Sequence, residues 1–400
     1  MLIDEQYIMG PKKLVYTRIA EKDTAAKADL LAQTNLTSST LTRLLDEMIE
    51  EKLIEAAEFG PSRGGRRPIL YRTLADYGYI FGLEISRIHS SLGLFDMHLN
   101  PRSVVHWRMD EAMTPERFLE YTVGQMRNFL RDHAIPQDKI LGVGIGSVGP
   151  LDRNTGTVLD PLYFPAKGWH DIPICELFHR ETGWLTLLEN GTNAALMGEQ
   201  WALRDQSIQH ALYVHAGVSL RSAIMSHGRI VHGTVDMEGS IGQMIIQCDG
   251  PRLNASGNYG ALEAYASIEA LEKEARSLAK MGVFLNHDQQ LEIPPEQLRY
   301  DTLLQALKAG DPSVREMFSR SAAYFGIGLA NLINTLHPEM VILGGSLITS
   351  NQMYFEESTK IALKHVHYSS KYKPQFSKGQ LKEAAVVTGA ALNVWKTIEL

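Results

Sequence analysis

Three arginines fall within the run Gly60-Pro61-Ser62-Arg63-Gly64-Gly65-Arg66-Arg67-Pro68, on a backbone otherwise made of glycine, proline and serine. Glycine lets the main chain approach a partner closely, and arginine is drawn to the negative potential of a narrow DNA minor groove. The tetrad Gly65-Arg66-Arg67-Pro68 has the makeup of an Arg-Gly-Arg-Pro minor-groove hook. Upstream, Ser38, Ser39, Thr40, Thr42 and Arg43 gather short hydroxyls around one guanidinium. In a major groove, hydroxyls meet bases or phosphates and arginine favours guanine. The same residues also suit a solvent-facing helix start and a charged interdomain linker, so the elements around them must decide.

Those elements favour a duplex. Pro11 to Ala20 places Leu14, Val15 and Ile19 on one helical face. Ala25 to Gln33 is expected as a second helix, with Asp23 and Thr24 as N-cap types. After a short polar break, a third helix is expected from Ser38 to Lys52, capped by Thr37 or Ser38, with Leu41, Leu44, Leu45, Met48 and Ile49 at three- and four-residue steps. A short helix, a break and a longer helix form the helix-turn-helix pattern. Leu53 to Phe59 and Ile69 to Thr73 can form a strand pair flanking the arginine run. Residues 1–75 thus form an expected winged helix-turn-helix. Its DNA-facing residues are Ser38, Ser39, Thr40, Thr42 and Arg43 on the third helix and Arg63, Arg66 and Arg67 in the wing.

Composition bounds the rest. The chain has 400 residues, 44% of them hydrophobic and 21% charged, as in ordinary globular proteins. No apolar run is long enough to span a membrane, and the start MLIDEQYIMGPKK lacks the pattern of a secretory signal. A cytoplasmic protein without membrane attachment is expected. Cys175 and Cys248 cannot build a disulfide framework or a four-thiolate zinc site. The net charge of -7 does not oppose DNA binding. Charge repulsion is screened over ~8–10 Å at physiological salt, so the local patch governs.

From Tyr77 onward, strands alternate with glycine turns. Leu141 to Asp152 (LGVGIGSVGPLD), Leu188-Glu189-Asn190 with Asn193-Ala194-Ala195, Gly260-Ala261-Leu262-Glu263, His337 to Leu347 (HPEMVILGGSL) and Gly389-Ala390-Ala391 follow one another in order. This series resembles the ROK family of sugar kinases and sugar-responsive repressors, whose repressors carry an N-terminal winged helix-turn-helix ending in a similar arginine wing. The resemblance implies an α/β body over residues 76–400 with a two-lobed, actin-like (ribonuclease H-like) ATPase-type fold. Lobe 1 is expected over about 76–190 plus a C-terminal helix at about 380–400, and lobe 2 over about 191–379.

The resemblance also exposes what this chain lacks. Where family kinases hold phosphates with an Asp-x-Gly-x-Thr turn, it has Glu84-Ile85-Ser86-Arg87-Ile88, and the second phosphate loop is Gly217-Val218-Ser219. The aspartate base of the family's Glu-Asn-Asp segment is replaced by Gly191, which has no group to deprotonate a sugar hydroxyl. The family's zinc ligands are replaced by Gln243, Asn254, Ser256 and Ala261, none of them a good zinc ligand. Turn hydrogen bonds are therefore expected to hold the segment Gly250 to Gly260, to which Asn254, Ser256, Gly257 and Asn258 are suited. No catalytic residue, metal or cofactor is expected. Of the sugar contacts, Asn190 and Glu263 remain, and Ser240 and Gln243 replace others with groups that still donate and accept hydrogen bonds. The expectation is a homodimeric or homotetrameric repressor of carbohydrate genes. It would bind double-stranded operator DNA and take a sugar-like effector at these four residues, in the cleft between lobes. A sugar kinase with a DNA-binding head and a repressor governed by a protein partner are the alternatives.

Overall fold

The computed structural model describes residues 10–59, 67–234, 236, 238–281 and 294–400. The chain divides into two compact units, Met1–Ser207 with Val386–Leu400, and Ile208–Ala385.

The first unit opens with helix α1 (Pro11–Ala20), begun by a proline whose fixed φ suits the first helical turn. It buries Leu14, Val15, Tyr16 and Ile19. The helix expected from Ala25 starts later, as α2 (Lys27–Gln33). Ala25–Ala26 instead form a short strand, β1, paired antiparallel with β3 (Ile69–Thr73) at Ala25↔Tyr71 and Ala26↔Leu70. Backbone pairing across the sheet overrides alanine's helix propensity. Asp23 adopts a left-handed φ of 60°, and neither it nor Thr24 caps α2, whose cap position is Ala26.

Helix α3 (Ser38–Glu50) is capped by Thr37, whose Oγ1 accepts the Thr40 N–H. It ends short of the expected Lys52. That residue turns left-handed (φ 60°) while the Leu53 N–H returns to Met48 O at 2.9 Å, closing the helix end. Strand β2 (Ile54–Phe59) then pairs antiparallel with β3, from Ile54↔Thr73 to Phe59↔Ile69, with a bulge between Ala56 and Glu58.

The rest of the unit is a mixed five-stranded sheet in the order Thr186–Asn190, Ile140–Ser147, Tyr79–Ile85, His89–Asp96, Pro101–Arg108. Alternation divides its faces. Phe81, Leu83, Val143 and Ile145 join a buried core with Phe118 and Met126 of the helix Pro115–Asp132 and Phe178 of the helix Ile174–Thr182. On the other face, glycines admit the C-terminal helix Ala385–Thr397. A Cβ on Gly82 would lie 1.9 Å from Val387 O, and one on Gly144 1.8 Å from Ala390 O. The helix Gly191–Ala202 meets the same C-terminal helix, since a Cβ on Gly389 would lie 1.6 Å from Ala194 O. That packing corrects the expected break near residue 190, which falls instead after Ser207.

The C-terminal helix also holds α1. The Lys13 ammonium donates to Trp395 O and sits 4.4 Å from the Trp395 ring centroid, and burial pushes its pKa down to about 8. Tyr16 packs on the same indole, whose Nε1 donates to Met97 O at 3.1 Å.

The second unit is built on its own mixed five-stranded sheet, in the order Arg229–Ile230, Leu220–Ser226, Ala211–Ala216, Met340–Gly344, Gln375–Ser377. The long helix Pro312–Leu336, capped by Asp311, lays Phe318, Phe325 and Leu329 into its core.

Candidate functional site

The polar cluster at the start of α3 stands outward because Leu41, Leu44, Leu45 and Met48 turn the opposite face inward. Ser38, Ser39, Thr42 and Arg43 are exposed and Thr40 is half-buried. No acidic residue occupies the first turn. The Thr37 hydroxyl gathers the group, lying 3.0 Å from Ser39 Oγ and 2.8 Å from Thr40 Oγ1. Thr42 donates to Ser38 O at 2.8 Å and accepts a hydrogen bond from the Lys27 ammonium. Its hydroxyl proton is thus already used within the helix. Arg43 pairs with Glu47 one turn on, and both are solvent-accessible enough for the pair to open at little cost.

Lys27 was not among the residues singled out from the sequence. Its position at the first turn of α2 became visible only once Ala25–Ala26 proved to be a strand. In the other cluster, Arg67 is exposed just before β3. Arg63 and Arg66 lie outside the described residues. The strands that flank them, β2 and β3, pair as expected.

In the first unit, the residues expected at kinase motif positions make structural hydrogen bonds. Arg87 donates from Nε to Leu162 O at 2.7 Å and lies 5.8 Å from the Tyr163 ring centroid. Asn190 caps the helix Gly191–Ala202, its Oδ1 accepting from the Thr192 N–H at 2.9 Å and the Thr192 hydroxyl at 2.7 Å. Glu189 Oε1 accepts from the Asn190 N–H and the Asn193 side chain, and Arg153 stands 3.6 Å from its other oxygen. Gly191 is buried, and a Cβ there would meet Ser147 O at an ordinary 3.4 Å. The backbone here leaves room for a Cβ.

In the second unit, Gln243 and Glu263 come together. Gln243 Nε2 donates to Glu263 Oε2 at 3.2 Å, and Glu263 Oε1 accepts the Leu220 N–H at 3.2 Å. Ser240 lies exposed on the short 3-10 helix Glu238–Gln243. The other oxygen-bearing end of Gln243 receives the Asn258 N–H at 2.8 Å. Asn254 Oδ1 is a hub for Ser256 N–H (3.1 Å), Ser256 Oγ (2.9 Å) and Gly257 N–H (2.8 Å). Turn hydrogen bonds hold this segment, as its residue types led one to expect. The loop Gly217-Val218-Ser219 is a hairpin turn whose Gly217 carbonyl accepts the Ile268 N–H at 2.8 Å. Among the described residues no group of three or more His, Cys, Asp or Glu could hold a metal, and both cysteines are free. No helix among them is long and apolar enough to cross a membrane.

This fold defines a sugar-kinase-like α/β protein. The solved ROK hexokinase of Thermus thermophilus superposes on it with a TM-score of 0.62 at 25% identity, over 78% of this chain and 97% of that one. The chain belongs to the ROK family, whose pattern matches residues 80–397. A xylose repressor of Caldicellulosiruptor bescii is 26% identical over 383 residues, 94% of this chain and 93% of that protein. A solved ROK family transcriptional regulator, a homolog of the E. coli MLC protein, has the same fold with a TM-score of 0.76 at 18% identity over 96% of each chain.

Proposed function

We propose that this chain is a sequence-specific DNA-binding repressor of carbohydrate-metabolism genes, acting in the cytoplasm as a homodimer or homotetramer on double-stranded operator DNA. Residues up to about 75 serve as a winged helix-turn-helix, with α2 and α3 as the paired helices and β2 and β3 as the arms of the wing. The observation that carries the reading is the exposed, acid-free first turn of α3, with Ser38, Ser39, Thr42 and Arg43 outward beside Lys27. Likeness to a xylose repressor along 94% of the chain supports it. Ser38, Ser39, Thr40, Thr42 and Arg43 enter the major groove, and Arg63, Arg66 and Arg67 follow the adjacent minor groove.

The body senses and does not phosphorylate. Gly191 offers no base, Arg87 is tied to Leu162, and the phosphate turns lack their glycine and hydroxyl geometry. A sugar-like effector engages Ser240 and the Gln243–Glu263 pair, whose amide and carboxylate match vicinal hydroxyls. Asn190 contributes by ordering the start of its helix. An effector shifts DNA affinity only by binding one conformation better than the other.

Binding of the purified protein to its own promoter region, measured by anisotropy at low ionic strength alongside ATP consumption with a sugar panel, tests this. Tight, salt-sensitive binding without ATP turnover is expected. Turnover without binding overturns it. In thermal melts, a sugar at ~100 times its dissociation constant should add ~2.7 kcal/mol of stability.

A further inference from the structure

The helix Pro115–Asp132 carries an outer stripe that its own unit does not cover. Glu116, Glu120, Arg127 and Arg131 are all exposed. At 100° per residue they fall within a band about 60° wide. The two acids occupy one half of the stripe and the two arginines the other. Between them sit buried Val123 and half-buried Gly124, and a Cβ on Gly124 would meet nothing within 4 Å.

Each half lies beside a hollow. One, of about 400 Å³, is lined by Glu116, Leu119, Glu120, Val123 and Arg127 against Leu177 and Arg180 of the helix Ile174–Thr182. The other, of about 470 Å³, is lined by Arg127, Leu130 and Arg131 with Ile135.

The helix macrodipole favours acids near the start and bases near the end. It does not account for like charges stacked four apart, Glu116 over Glu120 and Arg127 over Arg131, which destabilise a solitary helix. Nor does it account for the register. Turned end for end about the Val123–Gly124 peptide, the stripe maps Glu116 onto Arg131 and Glu120 onto Arg127. A two-fold contact has this self-complementarity, in which residue i meets j and j meets i.

We propose that this stripe is an interface with a second copy of the chain. The two Pro115–Asp132 helices run antiparallel and cross at Gly124. Glu116 faces the other copy's arginine at 131 and Glu120 the one at 127, while the hollows receive the opposing side chains. Exposed ion pairs add little affinity singly, but they fix register and partner. The inference stands whether or not the chain binds DNA.

Charge reversal tests it on the full chain by sedimentation. Glu116→Arg with Glu120→Arg makes the stripe wholly positive, and Arg127→Glu with Arg131→Glu makes it wholly negative. Each double variant should lose one assembly step, an equimolar mixture of the two should regain it as a mixed species, and the quadruple reversal should assemble like the parent. The parent's step should weaken with salt. Unchanged assembly in both double variants, loss that mixing does not restore, or a parent with no such step overturns the proposal. The quadruple variant, with unaltered net charge, separates misfolding from loss of contact.

Discussion

The start of α3 and the Gln243–Glu263 region of the second unit use similar polar side chains in opposite ways. On α3, Ser38, Ser39, Thr42 and Arg43 face solvent, and their internal bonds are local ones that a ligand can exchange. Around Glu263, polar groups close on one another and on the backbone: Gln243 on Glu263 and Asn258, Asn254 on Ser256 and Gly257. The first arrangement turns its polar groups outward, while the second uses most of its groups to hold its own backbone and side chains in place. A hub of hydrogen bonds on one asparagine can hold a turn of backbone such as this one.

The comparison breaks most readily at the wing. Arg66→Ala with Arg67→Ala should weaken operator binding by about 1–3 kcal/mol per arginine and flatten its salt dependence. Anisotropy titrations at several salt concentrations check this, and an unchanged slope means the wing does not touch DNA. The inward-facing region gives the next effect. Asn254→Ala removes the acceptor of three hydrogen bonds and should destabilise the protein by about 1–3 kcal/mol in thermal or urea melts, while chelators leave the parent's melt unchanged. A chelator-sensitive melt would show that a metal holds the segment after all.

Lys27→Ala should be smaller and of one kind. Loss of a single phosphate contact lowers the salt slope by about 1, with affinity reduced evenly across sequences. A changed sequence preference would instead make Lys27 a base reader acting with Thr42. The smallest effect is expected from Gly191→Asp. The pocket admits a Cβ, yet ATP turnover with sugars should stay at background, because Arg87 and the Gly217-Val218-Ser219 turn still leave the phosphates unheld. Appearance of turnover would mean that only the base had been missing.

Local signals made much of this legible in the sequence. The three- and four-residue spacing of Leu41, Leu44, Leu45 and Met48, with Thr37 before it, fixed α3 and hence which side chains face out. Asn254 among small polar residues marked a turn closed by side-chain hydrogen bonds. What escaped depends on distant pairing. Ala25–Ala26 look helical until Tyr71 and Leu70 supply partners. Lys27 gained a role only by meeting Thr42 on the next helix. The unit boundary slipped past residue 190 because Ala194 packs against Gly389, near the other end of the chain.

That long reach has a consequence in time. Lys13 meets Trp395 across 382 positions of sequence, and the glycine-lined face of the first sheet is covered by the helix Ala385–Thr397. During synthesis, α1 is made long before the indole that seats it, since Lys13 precedes Trp395 by 382 positions. The nascent first unit therefore waits with an aromatic socket unfilled, and chains cut short before Ala385 expose that socket and the bare sheet to chaperones and proteases. The helix Ala385–Thr397 must be made before α1 can settle.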